Sequence, residues 1–104
     1  RGRDAPALGR YTGDRYFGGG AWYPTTLAAA SLCYARARRP GQDRATLLAR
    51  GDAFMATMRA LTPEDGALSE QVDRASGAQV SARHLTWSYA SFIAAARERA
   101  LALA

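Results

Sequence analysis

The chain has 104 residues and a formal net charge of +5, it contains 24 alanines, and all 14 of its basic side chains are arginine. The chain has one cysteine, Cys33, which is too few for a disulfide-rich scaffold. It also has one histidine, so a zinc site of the usual Cys/His type lacks its ligands. Hydrophobic residues make up 48% of the chain and alanines occur in runs, so we expect a folded, mostly helical unit. No uncharged apolar run reaches about 18 residues, so we expect no membrane partner.

The N-terminal segment, residues 1–21, is predicted to be a loop, because it contains a proline and six glycines, which allow positive φ and close backbone approach. A first helix is predicted to begin near Pro24, since proline suits the first helical position, and to end at Pro40-Gly41. The residues at helical spacing along it are Leu27, Ala28, Ser31 and Tyr34.

A second helix is predicted to follow Asp43, which is a favourable N-cap residue. Apolar residues then recur on one face of this helix, and this spacing indicates a buried stripe. The stripe consists of Leu47, Leu48, Gly51, Phe54, Met55, Met58 and Leu61.

Residues 62–85 are predicted to be irregular, since they begin with turn residues and contain only a few apolar anchors, namely Leu68, Val72 and Val80. A third helix is predicted to begin around Leu85–Trp87 and to continue to the C-terminus. Loops of about 20 residues are uncommon in compact domains and tend to be functional when ordered, so both long loops are candidate functional segments.

Both loops carry residue types that bind sugars, because aromatic faces stack on pyranose rings while charged and amide groups bond to hydroxyls. The first loop contributes Arg10, Tyr11, Asp14, Tyr16 and Trp22, and the second contributes Glu70, Gln71 and Asp73, followed by Trp87. Carboxylates also perform glycoside hydrolysis, although a polar surface loop is an equally ordinary explanation for these residues.

Two motifs in these loops resemble the glucoamylase family, glycoside hydrolase family 15. The first motif consists of Gly9-Arg10-Tyr11, Asp14, Gly19, Trp22-Tyr23 and Thr26-Leu27-Ala28-Ala29-Ala30. The second consists of TPEDGALSEQ at residues 62–71, then Asp73, Gly77, Ser81-Ala82 and LTWSYA at residues 85–90. The motifs occur in the family's order with compatible separation, and the resemblance covers nearly the whole chain.

The resemblance implies that residues 1–104 are the C-terminal part of an (α/α)6 catalytic toroid. The fold class would be all-α, with about three helices and two long functional loops. The implied activity is that of a glucan 1,4-alpha-glucosidase, which hydrolyses terminal α-1,4-linked glucose from starch-like glucans with inversion. Its implied partners are an α-glucan or malto-oligosaccharide and the N-terminal part of the barrel. The resemblance implies no metal, no cofactor and no nucleic acid, and it suggests a secreted or periplasmic location.

Inverting enzymes need two carboxyl groups about 6.5–9.5 Å apart, one as general acid and one as general base. Glu70 matches the family's general base, and Gln71 beside it is expected to orient that side chain or the attacking water. The family's general acid lies upstream, in a motif that this chain does not contain, so we expect the isolated segment to be nearly inactive.

The remaining matched residues are expected to bind substrate. Arg10 and Asp14 match groups that contact sugar hydroxyls, although residues four apart in a turn can also pair with each other. Trp22 matches an aromatic wall of the sugar site, to which Tyr16 would add. Trp87 matches a tryptophan near the base, while both tryptophans are also suited to anchoring helix starts in the core.

A different class of function also fits the sequence. Arginines cluster at the predicted helix ends, at Arg36, Arg38 and Arg39 and again at Arg97 and Arg99. Cations at helix C-termini are favoured by the helix dipole alone, but such clusters also bind phosphates. The alternative is therefore a non-catalytic helical module whose basic helix ends bind a partner protein or an anionic polymer. Within hydrolases, another α-glucoside linkage also stays open.

Overall fold

Three α-helices and three two-residue strands make up the fold in the computed structural model. The structure describes residues 6–15, 20–73, 76 and 78–104. The elements in chain order are β1 (Ala21–Trp22), α1 (Tyr23–Ala37), α2 (Arg44–Ala60), β2 (Gln71–Val72), β3 (Gln79–Val80) and α3 (Thr86–Leu103). The strands form one antiparallel sheet in the order β1-β2-β3.

The helix boundaries follow the local sequence signals. Pro24 lies in the first turn of α1, where its missing N–H costs nothing. The side chain of Asp43 caps α2 by accepting a hydrogen bond from the backbone N–H of Thr46 at 3.1 Å, as predicted for an N-cap residue. The first helix ends at Ala37, three residues before Pro40, and its last carbonyls are satisfied by the turn that follows.

The helix α1 lies between the other two helices and supplies much of the core. Of the residues noted at helical spacing, Leu27 and Tyr34 are buried, Ser31 is half-buried and Ala28 is exposed. The buried residues of α1 are Tyr23, Pro24, Thr26, Leu27, Ala30, Tyr34 and Ala37. Alanine has no preference for either environment in such a helix, so the larger side chains decide which face is buried.

The apolar stripe of α2 packs against α1 as predicted. Phe54, Met55 and Met58 are buried in the core, while Leu48 and Leu61 pack at its margin. Gly51 allows the two helices to approach closely, because a Cβ atom there would lie 2.6 Å from the ring of Tyr34.

The helix α3 packs along α1 but touches α2 little. Polar contacts connect α3 to α2 and to the end of α1. Arg99 bonds Asp52 of α2 at 2.8 Å, and Arg38 at the end of α1 bonds Glu98 at 3.3 Å. Arg44 of α2 donates a hydrogen bond to the carbonyl of Ala102. These contacts hold the C-terminal half of α3 across the edge of α1.

An open apolar groove runs between α1 and α3. It has a volume of about 680 Å³ and is lined by Ser31, Leu32, Ala35, Ala90, Ile93, Ala94, Arg97 and Glu98. Leu32 and Ile93 on its two sides are 60% and 66% exposed. Among the described residues no helix is both long and apolar enough to cross a membrane.

The sheet is the main departure from the predicted loops. Residues 62–85 were expected to be irregular, but β2 and β3 lie within them, and β1 ends the first loop. Each strand contains only two residues, which is too short for the alternating pattern that identifies a strand in a sequence. The sheet brings the two loops together, because β2 pairs with both β1 and β3.

Candidate active site

The two loops meet at the N-terminal end of α1. Trp22 pairs with Gln71 in the sheet, and its backbone N–H donates a 2.7 Å hydrogen bond to the carbonyl of Leu8. Gly20 lies against Val72 so closely that a Cβ atom would lie 1.9 Å from the carbonyl oxygen of Val72. Only glycine therefore fits at this crossing, and the contact fixes the first loop beside the segment that carries Glu70.

Glu70 immediately precedes β2 and is held through its backbone and its carboxylate. Its N–H donates to the carbonyl of Ala82 at 2.8 Å, and its carbonyl accepts from the N–H of Tyr23 at 3.0 Å. The hydroxyl of Ser81 donates a hydrogen bond to Oε1 of Glu70. The carboxylate is half-buried, so it is fixed in place while part of it stays accessible to solvent.

Ser81 adopts a backbone conformation that is uncommon for a side chain of its type. Its φ is 68°, in the left-handed region, where a non-glycine residue costs about 1–3 kcal/mol. Strain of this kind persists where surrounding contacts fix the backbone and is frequent at functional sites. Here the strained residue is the one whose hydroxyl meets the carboxylate of Glu70.

Arg10 and Asp14 form a bidentate pair in the first loop. Nε of Arg10 donates to Asp14 at 2.8 Å and the terminal nitrogen donates at 2.7 Å, which confirms that these residues pair. This pairing raises the pKa of Arg10 above its usual range, and Glu70 adds a smaller contribution of the same sign. The charges of Arg10 and Glu70 are therefore complementary.

The guanidinium of Arg10 also lies over two aromatic rings. It is 5.0 Å from the centre of the Trp22 ring and 5.1 Å from that of Tyr11. Guanidinium groups are attracted to ring faces at such distances. The arrangement joins the first loop to the start of α1 and places a cation, a carboxylate and an indole side by side.

Trp22 is 6% exposed, and its indole N–H donates a 2.9 Å hydrogen bond to the side-chain oxygen of Gln71. Gln71 is fully buried. The bond connects the predicted aromatic wall to the residue that follows Glu70. That Gln71 orients Glu70 or a water molecule stays a prediction.

Trp87, in the first turn of α3, is 59% exposed, so its interpretation as a core anchor was wrong. Its ring meets that of Trp22 edge-on, with 6.2 Å between centroids. The two indoles therefore form adjoining surfaces, one buried and one accessible. Tyr16, the remaining predicted contact, lies outside the described residues, as do Gly19 and Gly77 of the two motifs.

The hydrogen bonds that Ser81, Tyr23 and Gln79 make around Glu70 were not predicted from the sequence. Ser81 was part of the second motif, but nothing in its residue type indicated a bond to a carboxylate 11 positions away. Tyr23 and Gln79 contact each other across 56 residues of sequence, at 3.0 Å. Such contacts have no local signal, because only the sheet brings the partners together.

The arginine clusters at the helix ends are largely engaged in bonds within the chain. Arg36 donates to Gln42 at 3.2 Å, Arg38 pairs with Glu98, and Arg99 pairs with Asp52. These bonds reduce the cationic surface that an anionic polymer would need. No group of three His, Cys, Asp or Glu residues capable of holding a metal ion occurs in the described part of the chain.

Comparison with known proteins places these features in a family. Residues 42–97 match the model of glycosyl hydrolases family 15, and they include Glu70, Gln71 and Trp87. The matched region covers more than half of the chain. The chain belongs to glycosyl hydrolases family 15.

Individual family 15 members resemble the chain over nearly all of its length. A glucoamylase from Neurospora crassa is 36% identical to it, over 92% of this chain and 21% of the relative. The solved family 15 glucoamylase from Hypocrea jecorina is 32% identical, with a TM-score of 0.85, over 94% of this chain and 22% of that one. The solved glucoamylase of Hormoconis resinae is 29% identical, with a TM-score of 0.82, over 94% and 23% of the two chains.

These likenesses confirm the predicted fold class, since the three helices match part of the family's all-α toroid. The family 15 chain spans about a fifth of the length of the relatives that it matches.

Proposed function

We propose that this family 15 chain carries the general-base half of an inverting glycosidase site. The proposed reaction is the hydrolysis of terminal α-1,4-linked glucose from starch-like glucans, as in a glucan 1,4-alpha-glucosidase. The observation that carries the proposal is the placement of Glu70, whose carboxylate is held by Ser81 and whose neighbour Gln71 pairs with Trp22, the ring over which Arg10 lies. The relatives that match this chain are glucoamylases, which favours the same reaction.

In the proposed reaction, a general acid from another part of the catalytic domain protonates the glycosidic oxygen as the bond to the anomeric carbon breaks. Glu70 accepts a proton from a water molecule, and that water attacks the anomeric carbon from the opposite face. A base must be ionised and must keep one oxygen within hydrogen-bond reach of the water. The half-buried carboxylate of Glu70 suits this role, since Ser81 bonds only one of its two oxygens.

The neighbouring side chains are proposed to bind the sugar. Arg10 and Asp14 would bond to hydroxyl groups. The accessible ring of Trp87 would face the pyranose, and the buried Trp22, edge-on against Trp87, would back the aromatic wall of the site. Gln71 fixes the Trp22 indole and thus the wall of the site. Tyr16 is also assigned to substrate contact, as an addition to the aromatic wall formed by Trp22.

We further propose that the segment is the C-terminal part of a larger (α/α)6 catalytic domain, and that it needs the rest of that domain for activity. The apolar groove between α1 and α3 supports this proposal, because Leu32 and Ile93 are exposed there and the other apolar residues that line it are small alanines. A groove of this kind suits a further helix, whose side chains would bury it. Arg97 on its rim would favour a helix that presents a carboxylate.

The proposed function is tested by Glu70→Gln in the complete polypeptide that contains this segment. The amide keeps the shape of the side chain but cannot accept the proton. We expect kcat on maltotetraose or soluble starch to fall by about 10²–10⁴-fold, the usual contribution of a proton-transfer group. The matched control is Glu64→Gln, which alters an exposed glutamate of the same loop and should leave kcat unchanged.

Near-normal turnover of Glu70→Gln would remove Glu70 from the role of base. Equal losses in the two variants would show that the substitutions act through loop stability rather than through proton transfer. NMR of the first product gives its anomeric configuration. If the residual activity of Glu70→Gln still inverts that configuration, it uses the same reaction.

A further inference from the structure

Tyr23 contacts the structure around Glu70 through both its backbone and its side chain. It is the first residue of α1 and is 1% exposed. Its backbone N–H donates a 3.0 Å hydrogen bond to the carbonyl of Glu70. Its hydroxyl donates to the carbonyl of Leu61 at 2.7 Å and accepts from Nε2 of Gln79 at 3.0 Å. One side chain therefore joins the end of α2 to the strand β3.

Gln79 extends this network to the other side of Glu70. Its amide nitrogen donates a second hydrogen bond, of 2.6 Å, to the carbonyl of Ala67. Ala67 lies three residues before Glu70 in the chain, and Gln79 lies two residues before Ser81. The hydroxyl of Tyr23 and the amide of Gln79 thus tie together the segment that leads into Glu70 and the strand that leads into Ser81.

The backbone pairing alone gives this region little rigidity. The strands β2 and β3 contain two residues each, and short isolated hairpins are marginally stable in water. The hydroxyl of Ser81 meets the carboxylate of Glu70 only while β3 keeps its position beside β2. Part-buried side-chain bonds from Gln79 cross between these segments and restrain them further.

On the proposed role of Glu70 as base, we infer that Tyr23 is a positioning residue, whose hydroxyl and the amide of Gln79 hold the Glu70–Ser81 pair in its working geometry. Tyr23 does not touch the reacting atoms in this arrangement. The Tyr23 hydroxyl donates to the carbonyl of Leu61. Burial raises the pKa of this phenol above its ordinary value, which already keeps it protonated at neutral pH.

The test compares two tyrosines of the same helix in the complete polypeptide. Tyr23→Phe removes the hydroxyl and keeps the ring in the core. Tyr34→Phe is the matched control, because Tyr34 is equally buried in α1 but its hydroxyl bonds Asp52 of α2. Both variants should lower the melting temperature, since each loses a hydrogen bond from a buried ring.

Only Tyr23→Phe should also change catalysis. We expect its kcat to fall roughly tenfold with KM nearly unchanged, less than the about 10²-fold that a misplacement of an ångström can cost. The kcat of Tyr34→Phe should stay at the parent value. Gln79→Leu removes both amide bonds from a half-buried position and should reproduce the kcat loss, which keeps the test valid if Tyr23→Phe folds poorly.

A parent-like kcat in folded Tyr23→Phe or Gln79→Leu would overturn the positioning role and leave only a structural one. An equal loss of kcat in Tyr34→Phe would overturn it as well. Glu70→Gln separates this inference from the proposed function. If that variant retains turnover, the base assignment fails; if it loses turnover while Tyr23→Phe does not, only the positioning role fails.

Discussion

The helical and loop regions of this chain are held together by different kinds of contact. The helices bury apolar and aromatic side chains along α1, and each of those contacts is one of many. The loop region at the start of α1 depends on single polar bonds, such as Trp22 to Gln71 and Ser81 to Glu70. The contrast teaches that a change in the helices is felt as lost stability, while a change in the loops removes a specific geometry.

The two regions also differ in how complete they are. The polar side chains of the loop region bond one another within the chain. The helical region instead leaves an apolar groove open between α1 and α3. The loop region therefore satisfies its polar groups within the chain, while the helical region leaves large apolar side chains uncovered.

The largest expected effect comes from placing a charge in that groove. In the complete polypeptide, Ile93→Glu should lower the free energy of unfolding by several kcal/mol, because the desolvation of a buried carboxylate costs more than a pair with Arg97, one helical turn away, returns. Ala49→Glu on the exposed side of α2 is the control and should change it by about 0.5 kcal/mol or less. Urea denaturation measures both values.

Equal, small changes in Ile93→Glu and Ala49→Glu would show that the groove is a solvent surface, and the proposed larger domain would lose its main structural support. If Ile93→Glu does not fold, Ile93→Ala gives a milder measurement. If another helix covers Ile93, Ile93→Ala should lower the free energy of unfolding by about 2–5 kcal/mol.

A smaller effect is expected in the loop region from Gln71→Leu. The substitution leaves the buried N–H of Trp22 without its acceptor, which should cost about 1–3 kcal/mol in the free energy of unfolding. Gln42→Leu is the control, because Gln42 is exposed and only bonds Arg36. A cost for Gln71→Leu no larger than that for Gln42→Leu would show that the loop region is not held by single buried polar bonds.

The smallest effect concerns pH and the ion pair between α2 and α3. The hydrogen bond from Arg99 is the main reason that the pKa of Asp52 lies below its usual value of 3.8. The folded chain therefore binds fewer protons at this site than the unfolded chain does. The stability that the pair contributes is present above about pH 4 and is lost as pH falls through the lowered pKa.

Asp52→Asn should accordingly reduce stability at neutral pH and flatten the acid limb of the stability curve. Arg99→Gln should have a similar effect, and the double variant should be less destabilised than the sum of the two. Strictly additive effects would show that the pair is not coupled. High salt should shrink the difference from the parent, because the pair is largely exposed.

The sequence predicted the three helices and their starts, near Pro24, after Asp43 and around Leu85–Trp87. Pro24 and Asp43 act through their own backbone and nearest neighbours, so their effect is independent of the rest of the fold. The sequence did not indicate which alanines of α1 are buried. In an alanine-rich helix, the choice between Ala28 and Ala30 depends on where α2 and α3 pack.

The candidate site was predicted only in part. Glu70, Arg10, Asp14 and Trp22 were identified because they resemble family motifs, and the structure places them in neighbouring positions. Ser81 and Tyr23 also lie in these motifs and Gln79 lies in neither, but nothing indicated which bonds they make, since a serine or glutamine in a loop has many possible roles.

The sequence by itself determined the helices, the turn chemistry and the membership suggested by two motifs, because these depend on residue types at short spacing. Only the tertiary structure decided that the loops form a sheet, that Trp22 is buried while Trp87 is exposed, and that Ser81 meets Glu70. Those outcomes depend on contacts between residues far apart in the chain, such as Trp22 with Gln71 and Trp87, whose energies exist only once α1 has brought the loops together.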